Sequence, residues 1–277
     1  MKCNSSISVV LITCNRPLNI LERSLNSVLF QTYRNIWVII VDTNIDSEIS
    51  KKIANYVGSL CRSNIELIKM PGGSSNQARN AGFNMTNSEY VAFLDDDDEW
   101  ALDKLEKQLE FFKEGISLVY SNYYVADKND FKLFIDAPYE GNLKTIILGE
   151  NVIGCTSMPL LLTQAYIDVG GFDQSFKANQ DWDLWIRILQ NHKVAYSPTI
   201  AGTKHYSDNS ISNSRYRRAS GWFSLFIKHA GKYMKNREQL VVALGFFSRE
   251  MLHKKVYIVG APAFILYLLI EKINFKR

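Results

Sequence analysis

The stretch YVAFLDDDDEW, residues 90 to 100, constrains this chain more than any other. Tyr90 to Leu94 read as a short buried strand, and the strand ends abruptly in Asp95, Asp96, Asp97 and Asp98, with Glu99 beside them. Crowded carboxylates repel one another. Solvent relieves part of that repulsion, and charge runs are mostly solvated surface. A divalent cation relieves more, because hard cations take carboxylate oxygens as ligands. The position favours a binding role: ligands of open α/β sheets sit at the carboxyl ends of strands, where these acids begin.

The chain around this stretch has a regular rhythm. ISVVLIT (7 to 13) is a continuous β-branched run, as expected of a parallel strand buried on both faces. Pro17 suits a first helical turn, and Leu18, Leu21, Leu25, Val28 and Leu29 then recur at helical spacing. IWVIIVD (36 to 42) is a second buried strand ending in Asp42, and a polar helix follows to about Val57. IELIKM (65 to 70) is a third strand, closed by Pro71, Gly72 and Gly73, and a short helix from about Asn76 to Met85 leads into the acidic strand. Strand–helix repetition of this kind specifies a parallel sheet with covering helices. Asp42 and Asp95 should then lie on one rim. Leu102, Leu105, Leu109 and Phe112 mark a further amphipathic helix, and SLVYSNYYVAD (117 to 127) a further strand.

A length of 277 residues suits one large α/β domain with an appended piece, or two small domains. With 32 Lys plus Arg against 28 Asp plus Glu, the net charge of +4 does not indicate a nucleic-acid binder. The spacing of Cys3, Cys14, Cys61 and Cys155 suggests neither zinc nor a disulfide framework, so a reducing cytosol is the simplest compartment. The first apolar run, Val9 to Ile12, is too short for a signal peptide.

Two pieces of the middle are informative. GGFDQSF (170 to 176) is a glycine turn flanked by aromatics. NQDWDLWIRIL (179 to 189) has one apolar helical face, with Asp181 and Asp183 in its first turn, where acids offset the helix dipole. His205 in KHYSDNSIS (204 to 212) would, taken alone, be a structural histidine.

With these pieces together, residues 7 to 212 resemble glycosyltransferase family 2, enzymes of the GT-A fold. VVLITCNRP looks like the family's opening strand, SSNQARNAGFN like its Ala-Arg-Asn-x-Gly stretch, FLDDDDEW like its Asp-x-Asp metal motif, and GGFDQSFKANQDWDLWIRI like the segment carrying the catalytic base. The resemblance implies a Rossmann-like, mostly parallel sheet with helices on both faces. Residues 1–127 would handle the nucleotide sugar, 128–212 the acceptor, and 213–277 would form a helical extension. It further implies that Thr13, Asn15, Asp42, Arg79, Asp95 and Asp96 bind the nucleotide sugar. Asp95 and Asp97, with His205, would hold Mg²⁺ or Mn²⁺, and Asp181 would be the base. Arg79 would contact the nucleotide or brace the acids. Gln180 stands where many relatives have Glu, and VDTN lacks a common second Asp. The Gln-x-x-Arg-Trp motif of processive synthases is absent, which points to one sugar per encounter.

The implied activity is inverting transfer of a hexose from a nucleotide-diphosphate sugar, a UDP-sugar first of all, to a hydroxyl of a glycan or lipid-linked acceptor in cell-surface polysaccharide synthesis. Two other classes compete. A metal-dependent nucleotidyltransferase normally grips triphosphate with a glycine-rich basic loop, and TCNRPLN has no glycine. An inactive nucleotide-sugar-binding subunit would not need intact acids; Gln180 alone favours it.

The end of the chain leaves two readings open. VYIVGAPAFILYLLI (256 to 270) is short for a spanning helix and is interrupted by Pro262, as in a buried core helix. Yet Lys254, Lys255, Lys272, Lys276 and Arg277 flank it, and upstream RYRRASGWFSLF sets three arginines beside Trp222, Phe223 and Phe226. Basic residues next to exposed aromatics favour an anionic membrane surface. The expectation is a cytoplasmic protein, peripheral on the inner face of the membrane through about residues 215 to 277.

Overall fold

The computed structural model describes residues 5–127, 130–134, 141–206 and 214–253, with 260, 262, 263, 266 and 267. The chain folds into two compact units that interleave along the sequence: Met1–Pro138, Ile153–Gln174 and Asn191–Ser207 form one; Tyr139–Val152, Ser175–Gln190 and Asp208–Arg277 the other.

The first unit contains the sheet. β1 (Ile7–Thr13), β2 (Ile36–Asp42), β3 (Ile65–Lys69) and β4 (Tyr90–Asp95) pair in parallel in the order β3-β2-β1-β4. Their crossovers are α1 (Leu18–Leu29), α2 (Ser47–Ser59) and α3 (Ser75–Phe83). Val9, Val10, Leu11, Ile40, Val91 and Phe93 are buried, which is why β1, β2 and β4 read as largely apolar runs, whereas the edge strand β3 is partly exposed and carries Glu66 and Lys69. α3 lies so close to the sheet that a Cβ at Gly82 would stand 2.5 Å from Val10 Cγ1 and 2.9 Å from Val41 Cγ2. The register pairs Thr13 with Asp42 and Ile12 with Asp95, so both acids end on one rim, as the strand ends require.

Beyond β4 the sheet becomes mixed. β5 (Glu99–Trp100) and α4 (Lys104–Leu109) precede β6 (Ile116–Asp127) and its hairpin partner β7 (Asp130–Phe134). The helix α5 (Leu143–Gly149) belongs to the second unit, and β8 (Leu160–Leu162) then inserts antiparallel between β4 and β6. After α6 (Thr163–Asp168) and α7 (Gln180–Asn191), β9 (Lys193–His205) runs parallel to β6 and antiparallel to β5. This is the α/β architecture expected of the GT-A fold.

The helix after the acids is shorter than its apolar spacing predicts. Leu102 is 60% exposed and precedes α4, while Lys104 and Gln108 take buried positions on it. Lys104 Nζ stands 4.0 Å from the Trp100 ring centroid and donates to Gln108 Oε1 at 2.9 Å. Burial holds this amine well below the ordinary lysine range.

The second unit is helical where it is described. α7 carries its apolar face Leu184, Trp185, Ile188 and Leu189 inward. α8 (Arg215–Lys228), α9 (Ala230–Lys235) and α10 (Arg237–His253) follow. One expectation needs correction here. Trp222 is not an exposed membrane-facing aromatic: it is buried, with Nε1 donating to Glu250 Oε2 at 2.8 Å and its ring packed against Trp182 and Phe226. The apolar run 256–270 lies mostly outside the described residues, as does most of KHYSDNSIS. Among the described residues no helix is long and apolar enough to cross a membrane.

Candidate active site

The four aspartates form a tight turn, closed by the Asp98 amide donating to the Asp95 carbonyl at 3.1 Å. The turn sorts them. Asp96 and Asp98 point inward and are 7% and 2% exposed. Asp98 Oδ2 accepts from Ser157 Oγ at 2.5 Å, and Oδ1 from the His205 amide at 3.2 Å. Asp96 Oδ2 accepts from the Cys14 amide at 3.2 Å. Burial pushes both carboxyls up to about 7, with Asp97 adding to the effect on Asp96. Asp95 and Asp97 are the outward pair, with side chains 31% and 18% exposed. Burial and then Asp95 raise Asp97, and Arg16 and Lys204 oppose this. The acid run is thus neither wholly solvated nor wholly paired.

Basic residues from α1 and the loop before it meet the turn from one side. Arg16 pairs with Asp97 and stands 3.4 Å from Asp96 Oδ1. Arg23 Nη2 donates to the Asp97 carbonyl at 2.5 Å. The Ser24 hydroxyl lies beneath, 2.8 Å from the Asp96 carbonyl. None of these three residues, nor Ser157, was singled out from the sequence. Arg16 and Arg23 carry only a local signal, a cation seven residues from another at the end of the first strand.

Asp42 turns away from the acids and into a network at the rim. Oδ1 accepts from the Asn44 amide at 2.9 Å and from its Nδ2 at 2.6 Å; Oδ2 accepts from Ser50 Oγ at 2.6 Å. Asn44 Oδ1 in turn accepts from the Asn15 amide at 2.6 Å. Asn15 sits at φ 53°, a left-handed conformation that Asn tolerates better than most residues. The Thr43 amide reaches the Thr13 carbonyl at 3.0 Å. Three of a carboxylate's roughly four acceptor positions are filled at Asp42, and it is buried. Its carboxylate therefore fixes the backbone around Asn15 and Thr13.

α3 shows why NQARN precedes the acids. Its N-terminus is a capping box, with Ser74 and Gln77 bonding each other's backbone amides. Asn76 and Asn80 hold the glycine turn: Nδ2 of Asn76 donates to the Asp173 carbonyl at 2.9 Å, and Nδ2 of Asn80 to that of Phe172 at 2.8 Å. Gly170 and Gly171 adopt φ 76° and 68°, which the turn requires. Phe172 packs on Phe93 and lies 5.1 Å under the Arg79 guanidinium. Arg79, 3% exposed, is aimed by this clamp at Asp95, with Nη2 2.5 Å from Oδ1. Its Nε and Nη1 have no hydrogen-bond partner among the described residues.

His205, also in the first unit, lies beside the acidic turn. Nε2 stands 3.7 Å from Glu99 Oε2. Burial, then Arg23, lowers this imidazole below its ordinary value, which leaves it neutral near pH 7. Among the described residues no three or more His, Cys, Asp or Glu side chains form a metal cage. Two outward carboxylates with a neutral imidazole nearby do fit a sparse cation site, because Mg²⁺ characteristically takes one or two carboxylates and completes its shell with phosphate oxygens and water.

In the second unit the two acids of α7 have different surroundings. Asp183 is fully buried. Its Oδ2 accepts from Arg187 Nε at 2.9 Å and from Lys228 Nζ at 3.0 Å, and its Oδ1 lies 2.9 Å from His229 Nε2. Burial alone would raise this carboxyl; His229, Arg187 and Lys228 more than offset it and hold it below the usual range. Asp181 is half-buried and accepts from the Trp182 amide at 2.7 Å; of the two acids, it is the one without an ion-pair partner among the described residues. Before it, Gln180 leaves a buried Oε1 unpartnered.

A profile described as Glycosyl transferase family 2 matches residues 8–169. The chain is 26% identical over 214 residues to UDP-Glc:alpha-D-GlcNAc-diphosphoundecaprenol beta-1,3-glucosyltransferase WfgD of Escherichia coli, covering 76% of this chain and 81% of that protein. It is 26% identical over 195 residues to an uncharacterized glycosyltransferase of Rickettsia felis, covering 69% of this chain but only 31% of that longer protein. Among solved structures, S. aureus TarS in complex with UDP-GlcNAc superposes with a TM-score of 0.67 at 16% identity, over 89% of this chain and 72% of that one. The mannosyltransferase PcManGT from Pyrobaculum calidifontis, in complex with GDP-Man and Mn²⁺, gives 0.62 at 17% identity, over 95% and 81%. At such identities the structural likeness is one of fold.

Proposed function

Since the chain belongs to glycosyl transferase family 2, we propose that it moves one hexose, with inversion, from a UDP-sugar to a hydroxyl of a glycan or lipid-linked acceptor in cell-surface polysaccharide synthesis. The single observation that carries the reading is the outward pair Asp95 and Asp97 at the end of β4, beside an Arg79 guanidinium with two unpartnered nitrogens. The lipid diphosphate acceptor in the name of WfgD and the UDP-GlcNAc bound by TarS support the substrate classes. The Mn²⁺ in PcManGT supports a divalent cation.

The residues divide the work as follows. Asn15 and the backbone at Thr13, fixed through Asn44 and Asp42, line the nucleobase site. Arg79 supplies fixed N–H donors to the nucleotide sugar, whereas Asp96, turned inward and buried, is not a direct contact and instead holds the Cys14 amide in place. Asp97 and Asp95, with His205, hold Mg²⁺ or Mn²⁺. When bound, that cation neutralises the charge that builds on the leaving diphosphate. Asp181 accepts the proton of the acceptor hydroxyl, the hydroxyl oxygen bonds to the anomeric carbon, and the bond from that carbon to the diphosphate oxygen breaks. Gln180 places an amide, not a second carboxylate, immediately before Asp181 in the first turn of α7. The enzyme works in the cytoplasm at the inner face of the membrane, where a lipid-linked acceptor would be met.

The test is a panel of UDP- and GDP-sugars screened by thermal shift with Mn²⁺ present. A ligand at 100 times its Kd adds about 2.7 kcal/mol of stability. Stabilisation by one UDP-sugar, followed by its transfer to a membrane-extracted acceptor, is the expected result. Stabilisation only by nucleoside triphosphates would replace this reading with nucleotidyl transfer.

A further inference from the structure

α8 is amphipathic in an unusual sense, because it has an apolar stripe on its outer side as well as its inner one. Ala219, Trp222 and Leu225 are buried. Tyr216, Phe223 and Ile227, seven and four residues apart, fall on the opposite side and are 85%, 46% and 76% exposed. Residues at these intervals share one face of a helix, so Tyr216, Phe223 and Ile227 line one outward side, with Ser220 between the first two. Met234 of α9 is 74% exposed as well. Phe223 also packs on Phe247 of α10, with ring centroids 5.6 Å apart, but Tyr216 and Ile227 remain largely solvent-facing, and clustered exposed apolar side chains mark interaction surfaces.

The charges beside the row indicate what covers it. From Ser214 to Arg237 there is no Asp or Glu, while Arg215, Arg217, Arg218, Lys228, Lys232, Lys235 and Arg237 are basic. Two of these are neutralised inside the unit: Arg218 by Glu250 and Lys228 by Asp183. Arg217, Lys235 and Arg237 are exposed and Lys232 is half-buried. Large apolar side chains flanked by cations without acids suit neither a nucleic acid, which offers no apolar counterpart, nor an acid-balanced protein surface. They suit a sheet of anionic headgroups with acyl chains beneath.

We infer that the outer face of α8, centred on Tyr216, Phe223 and Ile227 and framed by Arg217, Lys232 and Lys235, is an anionic-lipid docking surface. The inference deepens the membrane-side reading above and rests on it. The three apolar side chains enter the headgroup boundary while the basic residues stay at headgroup level. This surface is formed by described residues and does not require the apolar run 256–270 to be the anchor.

Co-sedimentation of the full chain with vesicles of phosphatidylcholine alone, or with 30% phosphatidylglycerol, tests it. Three forms are compared: the unmodified protein, a stripe variant (Tyr216→Ser, Phe223→Ser, Ile227→Ser) and a charge variant (Arg217→Gln, Lys232→Gln, Lys235→Gln). All six positions lie outside the proposed catalytic machinery. The unmodified protein should sediment with the anionic vesicles at low salt and be released at high salt. Each basic residue near an anionic surface contributes roughly fivefold in binding, so the charge variant should lose roughly a hundredfold. The stripe variant should lose binding even at low salt. Donor-induced thermal shift, unchanged in all three forms, reports separately on the glycosyltransferase reading. Three results would overturn the inference: an unmodified protein that stays in the supernatant, a stripe variant that binds undiminished, or a stripe that proves to hold two copies together, seen as dimer dissociation of the stripe variant without vesicles. An undiminished stripe variant would transfer the anchor to residues 254–277.

Discussion

The sharpest test of the site is a pair of isosteric substitutions two residues apart. Asp183→Asn removes the charge at the centre of a buried ionic cluster, where Arg187, Lys228 and His229 all lie within 3.0 Å of the carboxylate. Removing one partner of a buried ion pair usually costs about 3–5 kcal/mol, because the other charges stay buried without it. Arg187 and Lys228 are 16% and 30% exposed, so water recovers part of their solvation, and the low end, about 3 kcal/mol, is expected. At roughly 2–4 °C per kcal/mol for a chain of this size, Tm should fall by about 6–12 °C. Asp181→Asn breaks no ion pair and should shift stability by less than about 0.5 kcal/mol. Turnover, however, should fall by about a hundredfold to ten-thousandfold if Asp181 is the general base. Thermal unfolding and single-turnover transfer, measured on both variants, separate the two roles. An Asp181→Asn enzyme that turns over normally, beside a folded but dead Asp183→Asn enzyme, would show that the base is the other acid.

Three further outcomes follow from the same contacts. Asp97→Ala, or EDTA added to the unmodified protein, should abolish transfer while leaving the fold intact by circular dichroism; full activity in EDTA would remove the cation from the mechanism. The Asp183 carboxyl is lowered in the folded state, so its stabilisation is present above the unfolded value of about 3.9 and is lost as pH falls through the folded value. Acid unfolding followed below pH 4 should accordingly be shallower in Asp183→Asn, and an unchanged slope would mean that another group controls it. Gly82→Ala should cost about 1–3 kcal/mol by overpacking, since the added Cβ would meet Val10 and Val41 at 2.5 and 2.9 Å; urea midpoints that do not move would show that α3 can lift from the sheet.

The parallel half of the fold was legible because its signal is local. A strand buried on both faces is a run rich in apolar and β-branched residues, and the second, third and fourth runs stop at or just before Asp42, Pro71 and Asp95. The α4 region was not legible for the opposite reason. Leu102 and Lys104 carry the wrong polarity for their positions, since Lys104 is buried against Trp100 and Gln108 while Leu102 faces solvent. A hydrophobic pattern cannot anticipate a lysine stabilised by a ring face and a side-chain amide. The same limit applies to Trp222, whose indole N–H is satisfied by Glu250, 28 residues away.

The acid cluster shows where sequence reading stops and geometry begins. Four consecutive aspartates are chemically equal on paper. The turn makes them unequal, because closing the Asp95 carbonyl on the Asp98 amide sends alternate side chains to opposite sides. Ser157 and Cys14 then hold Asp98 and Asp96 inward, while Arg79 and Arg16 contact Asp95 and Asp97 from the flanks. Those partners come from α3 and from loops, so no spacing rule within the run reveals which two acids face outward. The inner pair, pushed toward neutrality by burial, supports the turn with fewer charges than the sequence suggests. That lowers the repulsion that four full carboxylates would impose, and Asp95 and Asp97 remain the pair whose side chains face outward.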